Sequence, residues 1–434
     1  MRMLSMVAII ASLICAPVHA QEAGRTFLHV SDIHLDPFTP FAGRKLAHYG
    51  EDTNYALFAT SLAAIAKAGA SADFVVLTGD LLAHDFEKKL RAATANPPSQ
   101  PAIADAAVST SGLVADALAM AVPGKPVILA LGNNDSDCGD YQIDPGGPYL
   151  EFTRELVKRL AGAALVADDF DTTYRAGGYY AMRHPTAPDT EIIVLNDVLW
   201  SAEYRDVCGS SGMAAAEAML TWFKARLDAA RAANRKVWMV HHIPAGIDAF
   251  ATMKSKETAC SKKPVSFMGE PFATRFPELL AEYAPVITAN LTGHVHFDGY
   301  RLILGKDGQA LDVEKIAPAI SPIFGQNPSF HVFDYDAKSG EPTDFTTVYL
   351  DLVKPAIGWR TEYRFTRAYR LKRFDAAAVN RIWTAIAAAG PERKTYGAYY
   401  DVGSAKFPST LAPAFYCALG ESSLSSFTNC LCKE

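Results

Sequence analysis

Short runs of apolar and β-branched residues alternate along the chain with longer alanine-rich segments, the rhythm of an α/β protein whose sheet strands are separated by helices. Thr26 to Val30, Asp73 to Leu77, Val127 to Leu131, Glu191 to Leu195, Lys236 to Val240 and Val286 to Leu291 read as strands. Thr53 to Ala68 carries Leu57, Leu62 and Ile65 at helical spacing, and Met213 to Ala233 does the same with Met219, Trp222 and Leu227; both stripes are core faces. The proline-rich stretch Asn96 to Pro101 marks a loop, followed by a helix over Ala102 to Met120. Past residue 300 the pattern turns to alternation, so Phe330 to Tyr335 and Thr346 to Leu352 are expected as antiparallel strands. From Phe374 a helical stretch leads into a tail rich in Tyr, Ser and Cys, read as a small subdomain over 355–434.

The composition of the 434 residues, 50% hydrophobic and 20% charged, is that of a globular protein and excludes low-complexity or collagen-like structure. A net charge of −6 is the wrong sign for a protein that grips nucleic-acid backbones. The first twenty residues combine Arg2, an apolar run from Leu4 to Cys15 and a small-residue exit at Val18-His19-Ala20, the pattern of a signal peptide (1–20) cut after Ala20. A secreted or periplasmic location follows, and no later stretch is expected to span a bilayer. Beyond Cys15, the remaining Cys138, Cys208, Cys260, Cys417, Cys430 and Cys432 are expected to form disulfides, the last three closing a loop among themselves.

Five clusters of oxygen and nitrogen donors each follow a predicted strand: Ser31-Asp32-Ile33-His34, Thr78-Gly79-Asp80, Gly132-Asn133-Asn134-Asp135, His241-His242-Ile243-Pro244 and Gly293-His294-Val295-His296. When extended, D-x-H and H-x-H segments project both side chains on one face, so two donors reach one ion. The glycines beside Asp80, Asn133 and His294 permit tight turns and close backbone approach. Imidazole and carboxylate suit zinc, manganese or iron, and a carboxylate shared by two ions creates the two-metal arrangement of phosphoryl-transfer hydrolases.

The ordered set D-x-H, G-D, G-N-x-D, H-x-P and G-H-x-H resembles the calcineurin-like metallophosphoesterase superfamily. Within it, Ser31 to Pro37, Gly79 to Asp85, His242 to Gly246 and Gln326 to Phe333 look like the acid sphingomyelinase-like phosphodiesterases. Purple acid phosphatases are disfavoured, since Ala83 stands where they carry a tyrosine. The resemblance implies a two-sheet β-sandwich flanked by helices over 25–354, the small helical, disulfide-pinned subdomain behind it, and a metal-dependent phosphoric ester hydrolase. It further implies that Asp32, His34, Asp80 and His296 hold one divalent ion, and Asp80, Asn133, His242 and His294 the other, with zinc the first expectation. His241 is then a spare histidine with a satisfied hydrogen bond.

Two departures shape the expected substrate. The family's G-N-H-[DE] histidine, which assists the leaving group, is replaced by Asn134, which contacts phosphate but delivers no proton. His84, in G-D-x-x-x-H-D, is the candidate donor in its place. Only Gln21 to Arg25 separate the signal from the first strand, leaving no room for a lipid-presenting domain, so small soluble phosphorylated substrates such as nucleotides are expected. Endopolyphosphatase and sphingomyelin phosphodiesterase activities are the alternatives, and a phospholigand-binding protein the non-enzymatic one. Trp200, Tyr204 and Trp222 are expected in packing, Asp52 as a helix cap, and Asn196 and Asp197 as supports behind the metal ligands.

Overall fold

The computed structural model describes residues 24–39, 45–206, 208, 212–405 and 412–432. The expected signal peptide lies outside them. Among the described residues fourteen strands run in sequence order as β1 (Arg25–Val30), β2 (Val75–Leu77), β3 (Val127–Leu129), β4 (Tyr180–Arg183), β5 (Thr190–Val194), β6 (Lys236–Val240), β7 (Ile247–Asp248), β8 (Val265–Ser266), β9 (Ile287–Thr292), β10 (Gly299–Leu304), β11 (Ala310–Ile316), β12 (Ser329–Tyr335), β13 (Pro342–Tyr349) and β14 (Arg360–Arg364). Twelve of them form two six-stranded sheets, ordered β14-β13-β12-β1-β2-β3 and β10-β11-β9-β6-β5-β4.

Each sheet has a parallel centre and antiparallel margins. Strands β1, β2 and β3 are mutually parallel, as are β5, β6, β9 and β11, whereas β12, β13 and β14 add antiparallel to one sheet and β4 and β10 to the other. Parallel strands are covered on both faces and therefore read as near-continuous apolar runs, which is why Val75–Leu77 and Val127–Leu129 are wholly buried. Aromatic side chains fill the space between the sheets. Phe27 of β1 stacks on Phe74 and Phe333, with ring centroids 5.2 and 4.9 Å away, and meets Trp238 of β6 across the interface at 4.9 Å.

The expected helices occur as Tyr55–Gly69, Gln100–Ala121 and Gly212–Ala232. Gln100 and Pro101 belong to the helix rather than the loop, because Ser99 caps it and proline is tolerated in a first turn. Asn54, not Asp52, caps the first helix, accepting from the Leu57 amide; Asp52 turns inward. The expectation that no later stretch is long enough to span a bilayer is amended, since Gln100–Ala121 has the length and apolarity for it. Its apolar content has another use: Ile103, Ala107, Val114 and Leu118 are buried and the helix packs against Tyr55–Gly69 and Pro148–Ala161.

After β14 the described residues form five helices, the last two being Ala412–Gly420 and Leu424–Leu431. The cysteines pair as Cys138–Cys208, Cys260–Cys432 and Cys417–Cys430. The C-terminal loop closure therefore involves Cys417 and Cys430 only, because the last helix brings Cys432 against the turn at Cys260–Lys262.

Phe27→Ala empties the centre of the inter-sheet layer. It is expected to cost about 3–5 kcal/mol, read as a lower denaturant midpoint with an unchanged slope; an unchanged midpoint would show that the sheets do not depend on this contact.

Candidate active site

All five donor clusters follow the carboxyl ends of parallel strands: β1, β2 and β3 in one sheet, β6 and β9 in the other. That is the edge at which α/β sheets bind ligands. The local geometry differs from the extended one expected. Strands β1 and β9 stop at Val30 and Thr292, and Asp32, His34, Asp80, His294 and His296 all have left-handed backbones, with φ of 50°, 45°, 57°, 69° and 68°. Non-glycine residues hold that conformation at a cost of about 1–3 kcal/mol each and keep it where the surroundings over-determine them. Close backbone approach does so here. A Cβ on Gly132 would collide with Asp80 Oδ1, and one on Gly293 with Ser31 Oγ.

The structure brings all seven sequence-predicted ligands together in two overlapping sets. The candidate donor atoms of Asp32, His34, Asp80 and His296 lie within 4.8 Å of one another, and those of Asp80, His242 and His294 form a second such group. In the first, His34 Nε2 is 3.1 Å from His296 Nε2 and 3.3 Å from Asp80 Oδ2, and Asp32 Oδ1 is 3.3 Å from His296 Nε2. In the second, His242 Nε2 is 3.3 Å from the same Asp80 Oδ2 and 3.0 Å from Asn133 Oδ1, which is 2.8 Å from His294 Nδ1.

Neighbouring groups decide which way these donors face. His34 Nδ1 donates to the Leu82 carbonyl (2.8 Å) and His242 Nδ1 to that of Thr78 (2.6 Å), so Nε2 is the nitrogen of each ring that faces the centre. Asn133 Nδ2 donates to Asp140 (2.6 Å), turning Oδ1 toward the two imidazoles. Two Nε2 atoms, carboxylate oxygens and an amide oxygen converging this closely need a positive charge between them, protons on the rings in the bare site or a divalent cation in their place, so the residues fit the expected metals. The charge balance agrees. Burial opposes protonation of His34 and His242, yet Asp80, with Asp32 as a further contributor, raises them to about 9 and about 10. Burial lowers His294 to about 3, helped by His242. Asp80 lies well below the usual carboxylate range: burial works against this, and His242 and His34 outweigh it.

Asp135, part of the third cluster with no role read from sequence, is the cradle for this loop. Its carboxylate accepts from the amides of Asp80 (2.8 Å), Leu81 (2.7 Å) and Gly132 (2.9 Å). Asn134 places both its backbone N–H and its side-chain Nδ2 on Asp80, at 2.8 and 3.1 Å. His84 stacks on His34 with centroids 4.0 Å apart, and its Nδ1 lies 2.9 Å from Asp52 Oδ1. Burial raises the Asp52 carboxyl, but the His84 hydrogen bond and the nearby cations bring it down to about 2.

Beside the donors opens a cleft of about 410 Å3, with Asp80, His84, Asn133, His294 and His296 on its surface. Tyr141, Phe250, Phe267, Phe297, Phe324 and Phe415 form aromatic walls, the last contributed by the C-terminal helices. The indoles of Trp200 and Trp222 donate to Ala216 O and Asp169, and Tyr204 OH donates to Ile143 O, so all three serve packing.

Residues 25–298 match the calcineurin-like phosphoesterase family. The protein belongs to that family. It is similar to cyclic GMP-AMP phosphodiesterase SMPDL3A of Bos taurus (22% identical, covering 96% of this chain and 92% of that one) and to acid sphingomyelinase-like phosphodiesterase 3b of Homo sapiens (23%, 94% and 90%). Sphingomyelinase phosphodiesterase D of Dictyostelium discoideum is 26% identical over 74% of this chain and 66% of its own. The phosphoesterase is a metal-dependent phosphoric ester hydrolase with the αββα layering its motifs implied.

His241 holds the phosphoesterase's β6 loop from inside. Its Nδ1 is 2.8 Å from Asp197, and its Nε2 is 2.9 Å from Asn290 Oδ1 and 3.2 Å from Glu314. All of these accept, so both ring nitrogens donate and the ring is an imidazolium. Burial opposes this charge, and Asp197 and Glu314 override it, raising the group to about 10. The two carboxylates then accept from the amides of Ile243 (3.0 Å) and Ala245 (3.1 Å), on the loop that carries His242. The support expected of Asp197 is present; Asn196 instead donates to Gly177 O.

His241→Ala leaves two buried carboxylates without their shared cation, a change that typically costs about 3–5 kcal/mol. A matching drop in urea stability is expected; wild-type stability would show that the loop does not lean on this ring.

Proposed function

We propose that the phosphoesterase is a secreted or periplasmic enzyme that hydrolyses phosphodiester or phosphoanhydride bonds of soluble substrates such as nucleotides. The convergence of two donor sets on the single Asp80 carboxylate, at the floor of an aromatic-walled cleft, carries this reading. The three disulfides suit an oxidising compartment, and the curated relatives include phosphodiesterases named for cyclic GMP-AMP and for sphingomyelin.

In this reading Asp32, His34, Asp80 and His296 hold one divalent ion and Asp80, Asn133, His242 and His294 the other, zinc first, with manganese or iron as alternatives. Ions bound there supply a nucleophilic water near neutral pH and neutralise phosphoryl oxygens. The protein's own groups do the rest. Asp135 and Asn134 fix Asp80, with Asn134 acting through that carboxylate beside the phosphoryl site. Asp52 accepts from His84 Nδ1, and in the imidazolium form of the ring the Nε2–H is the proton given to the departing oxygen. The aromatic walls receive the planar part of a nucleotide.

Chelation is expected to abolish hydrolysis, and re-addition of metal to restore it; activity that survives complete metal removal would refute the reading. For the proton donor, His84→Ala is expected to slow an alkyl phosphodiester about 10²–10⁴-fold and a p-nitrophenyl diester far less, since nitrophenolate leaves without a proton. Equal losses on both would remove His84 from that role. Sphingomyelin turned over faster than ATP would replace soluble nucleotides by lipid as the substrate.

A further inference from the structure

The loop that carries Asp80 and His84 runs straight into a short helix. Asp85 ends the loop with a left-handed backbone (φ 53°), and the helix Phe86–Ala93 begins at the next residue. Phe86 packs its ring on Phe38, with centroids 5.0 Å apart, which sets the helix against the segment following the Asp32 and His34 ligands. From this helix Lys89 sends its ammonium group between two carboxylates. It pairs with Asp52 Oδ2 and stands 3.3 Å from Asp36 Oδ2.

The Asp52 carboxylate is wholly buried, and its two oxygens have different partners: Oδ1 accepts from His84 Nδ1 at 2.9 Å and from Ser321 Oγ at 3.4 Å, Oδ2 from Lys89. Asp36 is fixed in turn, Oδ1 accepting from the amides of Phe38 (2.9 Å) and Thr39 (3.2 Å) and Oδ2 from the Thr39 hydroxyl (2.9 Å). A carboxylate out of water keeps a defined place only where hydrogen bonds and a cation compensate its charge. Lys89 supplies the cation to both acids, and so ties together the loop after β1, the approach to the helix Tyr55–Gly69 and the helix that follows His84. The imidazole at the end of this chain is 25% exposed, on the surface of the cleft, so burial alone does not set its orientation.

We infer that Lys89 is a positioning residue for His84: by occupying Asp52 Oδ2 it keeps Oδ1 on His84 Nδ1, and so holds the ring against His34 with Nε2 turned to the departing oxygen. This deepens the proposed function and rests on its assignment of His84 as the proton donor. Without the ammonium group Asp52 Oδ2 loses that partner, and the carboxylate turns to find another, taking Oδ1 off the ring. A proton donor displaced by about 1 Å can lose about 10²-fold in rate. Lys89 itself touches no reacting atom; its effect passes through Asp52 to the ring.

The test uses the p-nitrophenyl and ethyl esters of thymidine 5′-phosphate, identical but for the leaving group, on the metal-reconstituted full-length protein and its Lys89→Met, Lys89→Gln, His84→Ala and Lys89→Met/His84→Ala variants. The Lys89→Gln protein serves where Lys89→Met fails to fold. Loss of Lys89 should lower kcat for the ethyl ester about 10–100-fold. Turnover of the nitrophenyl ester, KM for both and the bound metal measured by mass spectrometry should stay within about twofold of wild type. The double variant should be no slower on the ethyl ester than His84→Ala alone, because both changes act through one ring. An unchanged kcat, equal losses on the two esters, a lost ion or additive losses in the double variant would each overturn the role of Lys89. If His84→Ala discriminates between the esters and Lys89→Met does not, only this inference falls. If His84→Ala slows both equally, or the wild type cleaves the nitrophenyl ester alone, the proton-donor assignment falls and the inference with it.

Discussion

Asp80 is a carboxylate held almost entirely out of water, and the rest of the active edge is arranged around keeping it ionised there. An isolated buried carboxylate protonates instead of remaining charged. Here two amide groups of Asn134 and the imidazoles of His34 and His242 surround it. Because Oδ2 lies 3.3 Å from both rings, the same oxygen belongs to both donor sets. The two sheets must therefore meet at a fixed distance: Asp80 and His34 follow strands of one sheet, while His242 follows a strand of the other.

This requirement accounts for features remote from the ligands themselves. The aromatic layer around Phe27 and Trp238 sets the spacing of the sheets, and the left-handed backbones turn side chains inward once the strands have ended. Four of the five loops are then gripped by a buried carboxylate that takes no place in either donor set. Asp135 holds the loops after β2 and β3, the Asp197 and Glu314 pair the loop after β6, and Asp298 the loop after β9. Asp298 accepts from Lys315, Thr347, Tyr363 and His331 at the base of the sheet. Burial disfavours its charge, but Lys315 and His331 keep it far below the usual carboxylate range.

Much of this was legible in the sequence, and the limits are physical. Strands such as Lys236–Val240 show themselves because burial on both faces leaves an unbroken apolar run, and the metal motifs because several donors recur beside strand ends. The left-handed turns were not legible, since D-x-H reads equally well as extended backbone when nothing shows that Gly293 presses on Ser31. Asp52 looked like a cap because Thr53 begins an apolar period; its pairing with His84 depends on a fold that brings positions 32 residues apart together. Glu314 and Asp298 carry no local signal at all, because their partners come from distant strands. Cysteine pairing was closed to sequence for the same reason, and Cys432 finds Cys260 rather than its neighbours.

The central claim is that one carboxylate serves two ions. Metal content of the purified, reconstituted protein, measured by mass spectrometry alongside Asp80→Ala with folding verified by circular dichroism, tests it most directly. Two ions per wild-type molecule, with both sites weakened together in the folded variant, is the result expected. A variant that keeps one ion at wild-type affinity, or a wild-type molecule that binds only one, would contradict the shared carboxylate.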